Sequence, residues 1–303
     1  MDAVEIVEVA PRDGLQNEAA VLPTADKLEL IGRSVAAGAR RVEVASFVNP
    51  ARVPQLADAE DVVAGLPPAE GVTFVGLVLN RRGLERALAS GLPEVNYVLF
   101  ATDEFSRRNQ GFDTAGSLAV WAEVAAASRA AGVRATLTVS AAFGCPYTGE
   151  VEPARVAGLV EQAAAAGPDE IALGDTIGAG VPTQVRELVA AVRAAAPGVR
   201  LRCHFHDTRN TGLANAYAAV LAGVQALDAS TGGIGGCPFA PAATGNVPTE
   251  DLVWMLERMG VSTGLDVGRL IATSSWLADR LGRPLPALLG RAGVFPAPDV
   301  RPG

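Results

Sequence analysis

Residues 170–230 read EIALGDTIGAGVPTQVRELVAAVRAAAPGVRLRCHFHDTRNTGLANAYAAVLAGVQALDAS, and this stretch contains the pattern that runs through the whole chain. Short apolar strands are predicted at Glu170–Leu173, Arg200–Phe205 and Ala226–Ser230, with alanine-rich amphipathic helices near 182–196 and 211–222 between them. Strands that read as nearly continuous apolar runs are typical of a parallel sheet covered on both faces. The stretch therefore predicts repeated strand–helix units with parallel strands.

The same unit recurs on both sides of this stretch. Further strands are predicted at Val4–Val9, Arg41–Ser46, Thr73–Leu79, Val95–Phe100 and Arg134–Ser140, and further helices near 24–37, 52–65, 81–90, 114–131, 153–166 and 249–259. Eight such units over about 260 residues predict an α/β fold, a (β/α)8 TIM barrel, whose usual length is ~250 residues. A doubly wound open sheet is the alternative, and it is disfavoured because no domain break interrupts the units.

The barrel is expected to form one catalytic domain over residues 1–264. Residues 265–303 are predicted to form a short helical extension, with a helix at Val267–Leu281 and a proline-rich tail. The active site of this fold lies at the carboxyl ends of the strands. Polar residues at those ends are therefore the candidates for function.

Composition limits the partners and the compartment of the protein. The 303 residues carry a formal net charge of −8, which disfavours binding to nucleic acid because phosphate contacts need a basic surface. We identify no membrane-spanning segment and no amino-terminal signal peptide. The three cysteines lie far apart and form no CxxC motif, which favours a reduced, cytoplasmic protein.

The scarcity of lysine and histidine excludes several mechanisms. The only lysine is Lys27, at the start of the first predicted helix, and the only histidines are His204 and His206. A Schiff-base aldolase needs a lysine that points into the barrel, so imine chemistry and pyridoxal phosphate anchoring are disfavoured. A carbamylated-lysine metal site is excluded for the same reason. A barrel that breaks carbon–carbon bonds would then need a metal ion as its electron sink.

The two histidines stand two residues apart on the seventh predicted strand. Side chains at i and i+2 share one face of a strand, so both imidazoles can point into the barrel and bind one divalent metal. Oxygen ligands are available from Asp13, Asp175 or Asp207. The alternative is two unrelated histidines, one packed and one exposed.

Charged residues at other strand ends complete the candidate set. Arg12 and Asp13 follow the first strand, and Glu43 interrupts the second, where a buried carboxylate would need a partner such as Arg12. Asp175 ends the sixth strand. The structural alternatives are a solvated loop for the first pair, an outward-facing Glu43, and an ordinary turn role for Asp175.

A glycine-rich loop follows the eighth strand and ends at Cys237. Its glycines at 232, 233, 235 and 236 could let the loop fold over a ligand, with Cys237 as a candidate acid or base. The segment is neither a GxGxxG motif nor a P-loop, which disfavours a phosphate cradle. A structural turn and an inert thiol are the alternatives.

Several long motifs occur together and in order. They are RDGLQNE at 12–18, SFVNP at 46–50, GCPY at 144–147, GDTIG at 174–178, HFHDT at 204–208 and the glycine loop with Cys237. With these motifs the chain resembles the 3-hydroxy-3-methylglutaryl-CoA lyase family of the DRE-TIM metallolyases, from about residue 4 to residue 265. No single motif is as specific as the ordered set.

The resemblance implies a retro-Claisen cleavage of 3-hydroxy-3-methylglutaryl-CoA, or of a related 3-hydroxyacyl-CoA, to acetyl-CoA and a 3-oxo acid. It implies a homodimer and a Mg²⁺ or Mn²⁺ ion held by Asp13, His204, His206 and Asn246. It also implies catalytic roles for Arg12, Asp13, Glu43, Asp175, His204 and Cys237, and substrate contacts from Arg12, Gln16, Ser46, Asn109 and Thr176. Arg12 would neutralise the enolate, Glu43 would hold Arg12, Asp13 or His204 would be the base, Asp175 would support proton transfer, and Cys237 would protonate or shield the enolate.

Two other functions stay open on the sequence alone. One is a related metal-dependent aldolase or Claisen-type synthase acting on a 2-oxo acid, which the short carboxyl-terminal region disfavours. The other is a catalytically silent binding barrel, which is disfavoured because no polar strand-end residue is missing. Departures from the family pattern at Ala19, Asn210 and the segment 103–111 also leave room for a substrate that is larger at C3.

Overall fold

The computed structural model describes residues 2–237 and 240–295, except for the side chains of residues 237 and 240–244, and shows a closed barrel of eight parallel strands. The strands follow one another around the barrel, and the eighth closes it by pairing with the first, Asp228 opposite Val7. They are β1 (Glu5–Glu8), β2 (Arg41–Ser46), β3 (Thr73–Val78), β4 (Glu94–Phe100), β5 (Arg134–Ser140), β6 (Glu170–Asp175), β7 (Leu201–Phe205) and β8 (Ala226–Ala229). The predicted (β/α)8 fold is confirmed.

Helices alternate with the strands and cover the outside of the barrel. They are α1 (Thr24–Ala36), α2 (Ala59–Ala64), α3 (Arg81–Ala89), α4 (Asp103–Gln110), α5 (Thr114–Ala130), α6 (Pro153–Ala164), α7 (Pro182–Ala195), α8 (Gly212–Leu221), α9 (Thr249–Arg258), α10 (Val267–Leu281) and α11 (Leu289–Ala292). A short hairpin of β9 (Gly236–Cys237) and β10 (Ala240–Thr244) lies after β8. No helix of the described residues is long and apolar enough to cross a membrane.

The apolar spacing of the helices explains how they pack. In α7 the buried residues are Val185, Leu188, Val189 and Val192, which recur at helical spacing and form one apolar stripe. Every residue of β2 and β4 is buried, because helices cover the outer face and side chains fill the interior. This packing leaves the strand ends as the places where polar side chains can meet a ligand.

The helix predicted over 52–65 is wrong in its first half. The α-helical part is only Ala59–Ala64, and a 3₁₀ turn over Pro54–Leu56 precedes it. The physical reason is Pro54, whose ring disfavours the helical conformation of Val53, and Val53 is accordingly non-helical, with a φ of −135° and a ψ of 77°.

The structure also contains a helix, α4, in a segment where the sequence pattern predicts no helix or strand. The side chain of Thr102 caps it by accepting a hydrogen bond from the Phe105 amide at 3.4 Å, and Gly111 ends it with a left-handed φ of 87°. The helix is short and strongly polar, so its sequence shows little apolar periodicity. It carries Asn109 to the rim of the barrel.

A layer of paired charges fills the barrel below the carboxyl end. Arg41 and Arg202 are almost fully buried, and both contact Glu170, with N–O distances of 2.9 and 2.8 Å. Arg41 also pairs with Glu94. Because a buried charge without a partner is costly, these pairs fix one another's positions. The layer closes the barrel from below.

The carboxyl-terminal extension packs back onto the catalytic end of the barrel. Helix α10 begins and ends at the predicted residues, and beyond it Leu285 joins a buried cluster with Leu15 and Ile234. The Ala287 amide donates to the Gly232 carbonyl at 3.2 Å. The extension thus supports the loops that follow β1 and β8. The tail is predicted over 295–303, and its residues 296–303 lie outside the described residues. The division at residue 264 stays a prediction.

Candidate active site at the carboxyl ends of the strands

A cavity of about 600 Å³ opens at the carboxyl end of the barrel. Polar residues from the ends of the strands line one part of it, namely Arg12, Asp13, Gln16, Asn96, Thr138, Ser140, Thr176, His204, His206 and Asp228. An apolar wall lines the other part, with Val48, Leu77, Leu79, Val98, Phe100 and Phe105. A cavity with one polar and one apolar side suits a ligand that has both characters.

Asp13, His204 and His206 form a cluster that could hold a metal ion. One potential ligand atom from each residue lies within 4.8 Å of the others, and His204 Nε2 is 4.0 Å from Asp13 Oδ2. The histidines come from the end of β7, where alternate residues share a face. Asp13 lies in a π-helical turn, Ala10–Gly14, that directly follows β1. The prediction that both histidines share one site agrees with this arrangement.

Asn246 lies beside this cluster. It pairs with His206 through an isolated β-bridge, and its Nδ2 donates to Asp13 Oδ2 at 2.9 Å and to the Ile234 carbonyl at 3.1 Å. Gly235 permits this approach, because it has a φ of 122° and a Cβ there would clash with Asn246 Nδ2. The glycine loop therefore brings Asn246 to the cluster.

Two buried atoms of the cluster support a bound cation. Among the described residues, neither His206 Nδ1 nor Asn246 Oδ1 has a partner in ordinary hydrogen-bond geometry, although the two side chains lie close enough for Asn246 to affect the pKa of His206. Leaving a buried polar atom without a partner costs free energy, and both atoms have a lone pair that a cation can accept. Together with Asp13 and His204 they give carboxylate, amide and imidazole ligands. This donor set fits a divalent cation.

The electrostatic environment differs for the two histidines. Burial, reinforced by the nearby His204, lowers the pKa of His206 to about 4, so its ring is neutral at pH 7. Burial also opposes the charged form of His204, but hydrogen bonding to Asp228 and the charge of Asp13 outweigh it and raise its pKa. Burial likewise favours the neutral acid of Asp13, but Arg12 and the histidines lower its pKa. Asp13 is therefore anionic at neutral pH.

Arg12 is held on two sides at the edge of the cluster. Its Nε donates to buried Glu43, and its Nη1 donates to Asp13 Oδ1 at 2.6 Å. Glu43 in turn accepts from Asn96 Nδ2 at 3.1 Å. Arg12 Nη2 makes no hydrogen bond to any described residue, so the guanidinium keeps a donor for a ligand.

The remaining predicted site residues divide into three groups. Gln16, Asn109 and Thr176 line the cavity, and Thr176 lies 2.6 Å from Ser140, hydroxyl to hydroxyl. Ser46 and Asp175 are buried and are absent from the described lining. Asp175 accepts from the amides of Ala179 at 2.8 Å and Gly180 at 3.0 Å, which is the turn role considered as its alternative. The side chain of Cys237 lies outside the described residues.

The structure adds Asp228, which the sequence reasoning did not select. It lies on β8, lines the cavity and is 3.1 Å from His204 Nδ1. The sequence contains a signal for it, because an acidic residue interrupts the apolar strand ALDA in the same way that Glu43 interrupts β2. Asn96 and Thr138 are also new, but a neutral polar residue on a strand gives a weaker signal.

Comparison with known proteins shows similarity along most of the chain. The sequence profile of the HMGL-like family matches residues 3–277. The (R)-citramalyl-CoA lyase of Chloroflexus aurantiacus is 48% identical, with 98% of this chain and 97% of the relative covered. The 3-hydroxy-3-isohexenylglutaryl-CoA/hydroxymethylglutaryl-CoA lyase of Pseudomonas aeruginosa is 42% identical, covering 92% and 93%.

A solved structure shows the same fold. An HMG-CoA lyase from Acinetobacter baumannii, in complex with coenzyme A and 3-methylmalate, superimposes with a TM-score of 0.94 at 38% identity. The similarity covers 99% of this chain and 98% of that structure. These similarities confirm the family resemblance that was inferred from the motifs.

Proposed function

Since this chain belongs to the HMGL-like family, we propose that it is a metal-dependent carbon–carbon lyase that cleaves a branched 3-hydroxyacyl-CoA. The products are acetyl-CoA and an oxo acid. The observation that carries the proposal is the cluster of Asp13, His204 and His206 beside Arg12, in a cavity at the carboxyl end of the barrel. That position is the one in which barrel enzymes carry out their chemistry.

Asp13, His204, His206 and Asn246 would hold the metal, Mg²⁺ or Mn²⁺. When bound, such an ion supplies Lewis acidity, which lowers the pKa of a hydroxyl group next to it. The anionic Asp13 and the neutral ring of His206 are suited to this role. The charge layer of Arg41, Arg202 and Glu170 keeps bulk water away from the cluster on its lower side.

The chain's own residues account for the proton and electron movements. Asp13 takes the proton of the C3 hydroxyl, because the single lone pair of a neutral His204 serves the metal. The C2–C3 bond then breaks to give a ketone and a thioester enolate. The Nη2 donor of Arg12 is the group that neutralises the charge on the enolate oxygen. Protonation of the enolate carbon, which we assign to the Cys237 thiol, completes acetyl-CoA.

The polar lining is suited to the carboxylate end of the acyl group. Ser140, Thr176 and Thr138 place hydroxyl groups in the cavity, and hydroxyls can donate to a carboxylate. Arg52 and Arg108 lie on the lining and are the cations that we assign to the coenzyme. Arg108 is also positioned by its stacking over Tyr147, at 4.3 Å from the ring centroid.

A second candidate substrate is favoured by one observation, the 48% identity to a citramalyl-CoA lyase. Citramalyl-CoA and 3-hydroxy-3-methylglutaryl-CoA share the methyl and hydroxyl groups on C3 and differ by one methylene before the carboxylate. The same bond cleavage releases the 2-oxo acid pyruvate from the first and acetoacetate from the second. The proposed residues serve both reactions without change.

The experiment is a panel of thioesters incubated with the purified protein and Mg²⁺ or Mn²⁺. It contains both candidates and a homologue with a longer C3 substituent, and it measures the release of acetyl-CoA and of each oxo acid. We expect metal-dependent acetyl-CoA release, and the thioester with the highest kcat/KM identifies the substrate. If no thioester of the panel releases acetyl-CoA, the proposed lyase activity is wrong.

A further inference from the structure

We propose that Asp228, held by Arg202, is a positioning residue that fixes the tautomer of His204 and so makes its Nε2 available to the metal. This inference rests on the proposed metal site, and it assigns a role to two residues that are not ligands. Asp228 lies on β8, whereas Arg202 and His204 lie two residues apart on β7. The three side chains therefore meet between neighbouring strands inside the barrel.

The contacts of the Asp228 carboxylate are divided between its two oxygens. Oδ1 accepts from Arg202 Nη1 at 2.7 Å, and Oδ2 lies 3.1 Å from His204 Nδ1. Asp228 and Arg202 are both largely buried. The carboxylate cannot rotate without breaking both contacts, so it presents one oxygen to the imidazole in a fixed direction.

Arg202 is itself fixed from below. Its Nε contacts Glu170 Oε1 at 2.8 Å, and Glu170 also contacts Arg41 and Arg200, at 2.9 and 2.8 Å. A chain of ion pairs thus runs from the lower layer of the barrel to the histidine. It supports the orientation of Asp228 through residues that are distant from the cavity.

Because a neutral imidazole carries one ring proton, the contact with Asp228 determines which of the two nitrogens holds it. One ring nitrogen then carries a proton and the other carries a lone pair. A carboxylate beside Nδ1 can only accept, so the proton resides on Nδ1 and the lone pair on Nε2. Nε2 is the atom that lies 4.0 Å from Asp13 Oδ2, on the side of the cluster.

His206 differs from His204, because no carboxylate among the described residues bonds to its Nδ1. Its Nδ1 is buried, and no described residue bonds to it. The chain therefore fixes one imidazole by a carboxylate and leaves a nitrogen of the second without a protein partner. Carboxylate partners of this kind change metal affinity by about 10- to 100-fold in other sites.

Asp228→Asn is the variant that separates positioning from packing. Arg202 can only donate, so it takes the amide oxygen, and the amide NH₂ then faces His204 Nδ1. We expect the proton of the neutral ring to move to Nε2, where it blocks the metal. Glu170→Gln is the matched control, because it removes a buried carboxylate from the same ion-pair chain, while its amide oxygen can still accept from Arg202 and Asp228 stays beside His204.

The first measurement uses ¹⁵N NMR of the metal-free protein, labelled at histidine. The pH is set about two units above the ordinary imidazole pKa of ~6.5, so that more of each ring is neutral. Only two ring systems give signals, and His206→Gln assigns them. We expect His204 to carry its proton on Nδ1 in the wild type and in Glu170→Gln, and on Nε2 in Asp228→Asn.

The second measurement is Mn²⁺ binding by the same three proteins, detected by electron paramagnetic resonance. We expect Asp228→Asn to bind Mn²⁺ about 10- to 100-fold more weakly, and Glu170→Gln to change affinity less than threefold. A neutral His204 ring that carries its proton on Nε2 and not on Nδ1 in the wild type overturns the proposal, even if Asp228→Asn fails to fold. So does a folded Asp228→Asn protein that keeps the Nδ1 proton and full affinity.

The spectra need neither substrate nor turnover, so they separate this proposal from the lyase activity. If the wild type shows the Nδ1 proton but cleaves no thioester, the positioning role of Asp228 stands and the proposed reaction fails. If the wild type cleaves thioesters but has the Nε2 proton, the reaction stands and the positioning role fails.

Discussion

Arg12 and Glu43 are joined side chain to side chain in the interior of the barrel, although 31 positions separate them in the sequence. Glu43 is almost completely buried, and its second oxygen accepts from Asn96 Nδ2 at 3.1 Å. The carboxylate is therefore fixed on both oxygens, and it fixes the guanidinium. No described residue accepts from Arg12 Nη2, so this arrangement leaves Nη2 as a donor for a ligand.

Arg12→Gln is expected to leave metal affinity unchanged and to lower turnover strongly. Arg12 is not a proposed ligand, and a Gln amide can still donate to Asp13, so Asp13, His204 and His206 should stay together. Loss of one preorganised donor to a developing oxyanion costs about 10²- to 10³-fold in kcat. Steady-state kinetics with a thioester substrate, beside Mn²⁺ affinity, checks this. Turnover within about threefold of the wild type would remove Arg12 from the mechanism.

Glu43→Gln is expected to act through Arg12. The amide can still accept from Arg12, but it lacks the negative charge that holds the guanidinium, so kcat should fall by about tenfold or more while Mn²⁺ affinity stays unchanged. The double variant Arg12→Gln/Glu43→Gln should be little slower than Arg12→Gln alone. Two reductions that multiply would show that Glu43 acts independently of Arg12.

Glu250 is expected to make the stability of the fold depend on pH. It accepts from the Gly232 amide at 3.0 Å, and burial raises its pKa from the ordinary 4.5 to about 7. Between these values the folded protein binds a proton that the unfolded chain has released, so this contribution to stability falls as pH rises and levels off above about 7.

Glu250→Gln removes that proton uptake but keeps an acceptor for Gly232. The difference in free energy of unfolding, Glu250→Gln minus wild type, should increase by up to roughly 3 kcal/mol as the pH rises from ~4.5 to ~8. Urea unfolding of both proteins across this range measures the difference. A difference that does not change with pH would mean that Glu250 titrates normally.

Leu285→Ala is expected to weaken the catalytic end of the barrel. Leu285 belongs to the extension, yet it is buried in a cluster with Leu15, which follows the π-helical turn, and Ile234, which lies within the glycine loop. Truncation should lower the free energy of unfolding by about 2–4 kcal/mol and reduce turnover as well. Thermal unfolding and kinetics measure both effects.

Leu288→Ala is the control, since Leu288 is 63% exposed and its loss should cost less than about 0.5 kcal/mol. Equal effects of the two substitutions would show that Leu285 does not support the site.

The fold could be predicted because strand and helix patterns repeat eight times with few exceptions. The exceptions have local causes that the spacing of apolar residues does not reveal. Pro54 shortens a predicted helix, and the polar segment Asp103–Gln110 forms a helix that depends on its Thr102 and Gly111 caps. The predicted length of α10 agrees with the structure, but its sequence does not show that the residues after it pack under the glycine loop.

The site residues that could be predicted from the sequence are those whose residue type is rare in the chain or whose motif is distinctive. The two histidines had few possible roles, and the charged motif at Arg12 and Asp13 stands directly after a strand. Asp228 was missed because one acidic residue in a strand has many uses, and its role depends on a neighbour 24 positions earlier in the chain. Asp175, in contrast, was selected as a catalytic candidate from the sequence, and in the structure its carboxylate accepts from the turn amides of Ala179 and Gly180.

A titration of the metal-free protein with Mn²⁺, wild type against His206→Ala, tests the metal centre most directly. His206 is buried in the cluster, and its Nδ1 has no partner among the described residues. We expect one Mn²⁺ bound per wild-type chain and an affinity at least about tenfold weaker in His206→Ala, with acetyl-CoA release lost in parallel. Unchanged Mn²⁺ affinity in a folded His206→Ala protein would contradict the proposed metal site.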